Sequence, residues 1–178
     1  MELLQWTDRP ELRRPVLIAS FEGWNDAGDA STTAVRWLAE RLGAEQVARI
    51  DGEEFYDYTS VRPEVEIVEG STRRIEWPEP QIWAARLTDA PRDVVAVIGH
   101  EPQLRWRTFC ATIVEAARLL DVELVITLGA LLAEVPHSRA TSVIGTAEDP
   151  GVIERLGLRP STYEGPTGIT GVLHAACR

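Results

Sequence analysis

Not one lysine occurs in these 178 residues; all 18 basic side chains are arginine. That excludes a Schiff-base lysine and a Walker-type phosphate loop, since both need an ε-amino group. Positive charge is scarce as well. Against 28 Asp and Glu the formal net charge is −10, which disfavours nucleic acid and anionic membrane surfaces as partners. The histidines number three, His100, His137 and His174, in no metal-ligand spacing, so no metal site is expected. The two cysteines, Cys110 and Cys177, stand far apart on apolar helical positions and are expected to be buried thiols in a reducing, cytoplasmic setting. No apolar run approaches the length of a membrane span, and Met1 to Arg14 lacks a signal-type apolar core. No cofactor is expected.

What is present reads as an α/β protein. Apolar residues make up 44%, enough for a sizeable core in one domain. Val16 to Ser20 is an apolar run, followed by the polar turn Glu22 to Gly28 and a helix to about Leu42 with Ala30, Ala34, Trp37, Leu38 and Leu42 on one face. Gly43 supplies the stop. Gln46 to Ile50 and Ile82 to Leu87 read as strands. Between them, Asp51 to Tyr58 reads as a loop packed by its own rings, and Glu64 to Val68 with Arg73 to Trp77 as a β-hairpin outside the main sheet.

Asp93 to Ile98 is apolar without alternation, as a strand covered on both faces should be. A helix over about Arg105 to Leu120, with Phe109, Ile113, Ala116, Ala117 and Leu120 on one face, leads to the strand Val122 to Leu128. That strand–helix–strand unit predicts parallel pairing and a right-handed crossover. Thr141 to Ile144 reads as a β-branched strand, Asp149-Pro150 as a capped helix start, and the segment from Ile169 as a final helix. The lead-in, Met1 to Arg14, is expected to be irregular or an edge strand.

Parallel strands send their following loops to one sheet edge, where α/β proteins bind ligands. Glu22, Asn25, Asp26, His100, Glu101, Arg105, Arg107, His137 and Arg139 are expected to converge there, with Glu164 and Thr167 of the glycine-rich Tyr163 to Gly168 loop as further ligand candidates. Glu22 and Asp26 suit general acid–base work or hard-metal ligation, but an aspartate ahead of a helix is more often its cap, the reading favoured for Asp26. Arg105 and Arg107 suit a bound carboxylate or phosphate, or an internal acid. No GxSxG, HExxH or GxGxxG occurs, and neither Ser20 nor Ser31 lies in a nucleophile motif, so the catalytic residues are unknown. Six tryptophans are many for this chain; Trp24, Trp77, Trp83 and Trp106 are interface candidates, with core packing as the alternative.

The segments FEGWNDAGDA, EPQLRWRTF, LGALLAEVPHSR and YEGPTGITG, in this order, resemble the PAC2 family of proteasome-assembly-chaperone-2-like proteins in its actinobacterial branch. The resemblance runs from about Val16 to Arg178. It implies a three-layer α/β/α fold with a mostly parallel central sheet, like that of phosphorylases and related hydrolases. The expected organisation is one domain over residues 1–178, short of the family's C-terminal part, with a hairpin excursion at about 51–80. The resemblance also implies self-association as a trimer or larger, and a proteasome-related or other protein partner. The expected function is therefore non-enzymatic binding and assembly. The alternative is a small-molecule enzyme or sensor with its pocket at the strand-end loops.

Overall fold

The computed structural model describes residues 3–178; Met1 and Glu2 of the expected lead-in lie outside the described residues. A six-stranded sheet carries the chain. In sequence order its strands are β1 (Leu4–Trp6), β2 (Val16–Glu22), β3 (Glu45–Ile50), β6 (Gln81–Ala85), β7 (Val94–His100) and β8 (Leu124–Thr127), arranged β1-β3-β6-β7-β2-β8. The hairpin β4 (Glu64–Val68) and β5 (Thr72–Glu76) pairs only with itself. The sheet is mixed. β2 runs parallel to both β7 and β8, whereas β6 is antiparallel to β7, β3 to β6 and β1 to β3. The lead-in thus supplies an edge strand. The Asp93 to Leu128 unit has the expected crossover helix, but β2 sits between its two strands.

Alternation along β2 and β7 divides two apolar layers. Leu17, Ala19, Phe21, Val95 and Val97 face α2 (Trp106–Leu119) and α4 (Ile169–Ala176), which contribute Phe109, Ile113, Ala116, Ile169 and Leu173. Ala96 and Ile98 face the other way, against Val35 and Ala39 of α1 (Ala30–Arg41). The rings of Phe21 and Phe55 meet that of Phe109 edge to face, with centroids 5.6 and 5.3 Å apart. Each of these phenylalanines is at most 1% exposed, worth about 1.5–3 kcal/mol of burial apiece. As expected, Phe55 and Tyr56 fold the Asp51 to Tyr58 loop inward.

Three local expectations are corrected. The apolar stripe of α1 is not its buried face. Ser31, Thr32, Val35 and Ala39 are buried, while Trp37 is 62% exposed. The strand at Thr141 to Ile144 shrinks to β9 (Ile144–Gly145), which pairs in parallel with β10 (Arg159–Pro160) around α3 (Pro150–Arg155). α3 starts as anticipated, with the Asp149 carboxylate accepting the Gly151 N–H at 2.9 Å. Finally, only Cys110 is buried; Cys177, at the end of α4, is exposed.

Candidate functional site

The carboxyl ends of β2 and β7 lie side by side, with Glu22 opposite His100 in the register. One Glu22 oxygen lies 3.1 Å from His100 Nδ1, and the other accepts from the guanidinium of Arg36 on α1. The side chains of Glu22 and His100 remain 29% and 38% exposed, so a ligand can reach them. Beneath them the Tyr56 hydroxyl donates to the His100 carbonyl at 3.0 Å, and burial pushes that phenol well above its ordinary value.

Asp26 lies in the same loop but faces inward. Its carboxylate accepts the backbone N–H of Ser31 at 2.7 Å and of Thr32 at 3.3 Å, and both side-chain hydroxyls as well. Burial alone would raise its pKa; the hydrogen bonds outweigh that and hold it below the usual carboxylate value. Ser20 extends the chain, donating to the Ser31 hydroxyl at 2.8 Å. Because a 3-10 turn (Ala27–Asp29) precedes α1, the aspartate reaches the helix from five residues upstream rather than from the adjoining position. It caps α1.

Asn25 and Glu101 hold α4. The Glu101 carboxylate accepts the Ile169 N–H at 2.7 Å, and the Asn25 side-chain carbonyl accepts the Thr170 hydroxyl at 2.9 Å. Gly168 is pressed so close that a Cβ there would come within 1.7 Å of Asn25 Oδ1 and 2.7 Å of Glu101 Oε1. The Asn25 backbone is also tied to the loop after β8, where the Ala130 N–H donates to the Asn25 carbonyl at 2.6 Å. The loops after β2, β7 and β8 therefore meet, joined by the start of α4.

The remaining candidates lie elsewhere. Arg105, at φ 53° just before α2, pairs with Glu54. Arg107, His137, Arg139 and Glu164 are exposed, and no ion pair to them is seen among the described residues. Thr167 is exposed beside Gly168. Trp24 and Trp77 are 56% and 52% exposed, Trp77 lying against Tyr58 with ring centroids 4.8 Å apart. Trp83 and Trp106 are half-buried on the two apolar layers, and the indole N–H of Trp106 donates to the Pro102 carbonyl at 2.6 Å.

Sequence reasoning passed over Arg36, Tyr56 and Thr170. For Arg36 a signal existed, since its helical position next to the buried stripe brings it over the strand end. Tyr56 had none, as its partner is a backbone carbonyl 44 residues away. Among the described residues no three His, Cys, Asp or Glu side chains gather as a metal site would require. No helix among them is long and apolar enough to cross a membrane.

Comparison with known proteins places this architecture. The sequence profile of the PAC2 family matches residues 20–178. No curated protein sequence matches. A solved PAC2 family protein from Streptomyces avermitilis is 46% identical, with a TM-score of 0.86 over 92% of this chain and 69% of its own. A proteasome-assembly chaperone homologue from Mycobacterium tuberculosis is likewise 46% identical, with a TM-score of 0.83 over 91% of this chain and 69% of its own. An archaeal homolog of proteasome-assembly chaperone from Pyrococcus furiosus, 20% identical, shares the fold with a TM-score of 0.65. With most of its length matched by the family profile and close relatives covering nearly all of it, the chain belongs to the PAC2 family.

Proposed function

We propose that this protein is a non-enzymatic binding and assembly protein, acting in the cytoplasm as a homo-oligomer and engaging a proteasome-related or other protein partner. The observation that carries this reading is the division of labour among its side chains. Asp26, Asn25 and Glu101, three of the polar groups at the strand ends, are engaged in holding α1 and α4. Large apolar groups meanwhile face solvent, among them Trp24, Trp37, Trp77, Leu131 and Leu132. Exposed aromatic and aliphatic anchors of this kind favour protein recognition. The Mycobacterium relative's description as a proteasome-assembly chaperone homologue supports the same direction.

Native mass spectrometry of the tagged protein, purified gently from its own host, tests the proposal. The expected result is a homo-oligomer with a second protein at fixed stoichiometry. A homo-oligomer carrying only a stoichiometric small mass overturns it in favour of the second reading.

That second reading is a small-molecule enzyme or sensor, and the exposed Glu22–His100 pair is what favours it. A carboxylate that orients an imidazole is a common acid–base arrangement. Under this reading, alanine at Glu22 and His100 abolishes the small-mass adduct without altering the fold; a retained adduct removes it.

A further inference from the structure

The hairpin β4–β5 is patterned like a layer over a core that it does not have. Its register sets Val65 opposite Ile75 and Ile67 opposite Arg73, and alternation puts these side chains, with Trp77 just beyond β5, on one face. Val65, Ile67, Ile75 and Trp77 are each about half exposed or more. The other face carries Glu66 and Glu76, both paired with Arg74. Antiparallel layers with one polar and one apolar face ordinarily bury the apolar one, and two strands alone are marginally stable in water. The hairpin leaves the sheet between β3 and β6. These strands lie on the flank of β7 away from β2 and β8, against which α4, the last element, packs.

Charge is concentrated on the same excursion. Residues 51–80 hold nine Asp and Glu against three arginines, a formal −6 of the chain's −10. At its root Trp77 lies against Tyr58. Burial raises the Tyr58 phenol, and the charges of Glu53, Asp51 and Glu79 push the same way, so these carboxylates stand around the ring pair. Glu79 is itself raised, by burial first and also by Asp51 and Glu76, although Arg49 stands 3.3 Å away. Carboxylates crowded in this way gain from a cation docked among them.

We propose that the bare face of this hairpin docks a basic, aliphatic segment of another protein. The segment's aliphatic side chains cover Val65, Ile67 and Ile75. Its arginine or lysine head groups lie over Tyr58 and Trp77, where the ring faces and the carboxylates of Asp51, Glu53 and Glu79 all attract a cation. Arg73 shares this face but stands toward the tip, opposite Ile67, and so keeps the partner's charges at the root. A second copy of this chain fits worse, since it brings the same excess of acid to the contact. The proposal rests on the protein-partner reading given above and supplies that partner's chemistry.

Fluorescence anisotropy of labelled peptides with the full chain tests the surface. The probes are a peptide alternating arginine with valine, one with glutamate in place of arginine, and one with serine in place of valine. The first is expected to bind, and each of the others to bind at least about 10-fold more weakly. Ile67→Thr with Ile75→Thr, which keeps β-branched residues in the hairpin, should weaken the first peptide by about 10-fold or more. Glu53→Gln with Glu79→Gln should do so by a similar factor that shrinks as salt is raised. An unchanged thermal midpoint excludes unfolding as the cause. No binding of the first peptide, equal binding of it and either other, or binding that either double variant leaves intact overturns the proposal. So does a Trp77 that resists oxidative labelling in the full chain alone, since the face is then already covered. In native mass spectrometry, a protein partner retained by the Ile67→Thr, Ile75→Thr variant overturns this surface and leaves the assembly reading standing. Absence of any protein partner overturns both.

Discussion

The Glu101 carboxylate accepts the backbone N–H of Ile169 at 2.7 Å, joining the end of β7 to the start of α4 across 68 residues of sequence. This bond gives a helix N-terminus the acceptor that no residue of its own supplies, since Gly168 has no side chain to offer. Glu101→Ala is expected to lower stability by about 1–2 kcal/mol. Glu101→Gln, which keeps an acceptor but loses the charge at the helix dipole, should cost about half as much. Urea unfolding midpoints of the three proteins check the order.

Gly168 is wedged between Asn25 and Glu101. Gly168→Ala should destabilise by about 1–3 kcal/mol through overpacking. In an Asn25→Ala background the penalty should fall, because the nearest obstructing atom is gone. A double-mutant cycle measures this coupling; strict additivity would remove the proposed contact from the account.

Asp26 gives the fold an acid limit. Its folded pKa lies below its ordinary value of 3.8. Near and below pH 3.8 the unfolded chain takes up the proton first, so stability rises with pH there. The contribution is present above that value and is lost as pH falls through the folded pKa. Asp93 acts with the same sign, its carboxylate accepting the N–H groups of Arg13 at 2.6 Å and Leu87 at 2.8 Å, which outweigh the effect of its burial. Asp26→Ala should cost about 2–4 kcal/mol at neutral pH by leaving the Ser31 and Thr32 donors unpaired. It should also flatten the acid limb of a thermal-midpoint profile taken from pH 6 to pH 2.

Phe109 is the hub of the larger apolar layer. Phe109→Ala should cost about 3–5 kcal/mol, since it opens a cavity against the rings of Phe21 and Phe55 in the middle of that layer. Calorimetric unfolding of the variant checks the figure.

The two thiols should differ in kind. Burial pushes Cys110 up to about 11, and Cys177 is raised for the same reason but is exposed. A disulfide reagent should therefore label Cys177 in the native protein and reach Cys110 only on unfolding. Mass spectrometry of peptides after native and denatured labelling distinguishes them.

Much of this could be read in the residues. The unbroken apolar run at Val94 to Ile98 marked a covered strand, and the periodicity of Phe109, Ile113 and Ala116 marked the buried side of α2. α1 misled for a physical reason. Its most apolar stripe faces outward, whereas Ser31 and Thr32 can be buried because Asp26 satisfies them from outside the helix. Hydropathy does not register a hydrogen bond made across a turn. At the sheet edge where the strand-end loops were expected to gather, Glu22, His100, Asn25 and Glu101 lie together, whereas His137 and Arg139 stand exposed and apart. Arg105 does not join the four either, because its left-handed backbone leaves it beside Glu54 instead. The capping role of Asp26 was legible ahead of α1, whereas that Glu101 and Asn25 would hold a helix depends on where α4 docks, a property of the folded chain alone.

The placement of β2 between β7 and β8 has a consequence for how the chain is made. β2 leaves the ribosome well before both strands that flank it, the nearer of which begins at Val94. At ordinary synthesis rates the roughly 70 intervening residues take about 4–14 s to appear. Throughout that interval an apolar strand waits with two bare edges, and it stays half-paired until β8 emerges. An apolar strand left unpaired for so long exposes the nascent chain to misassociation until its neighbours arrive.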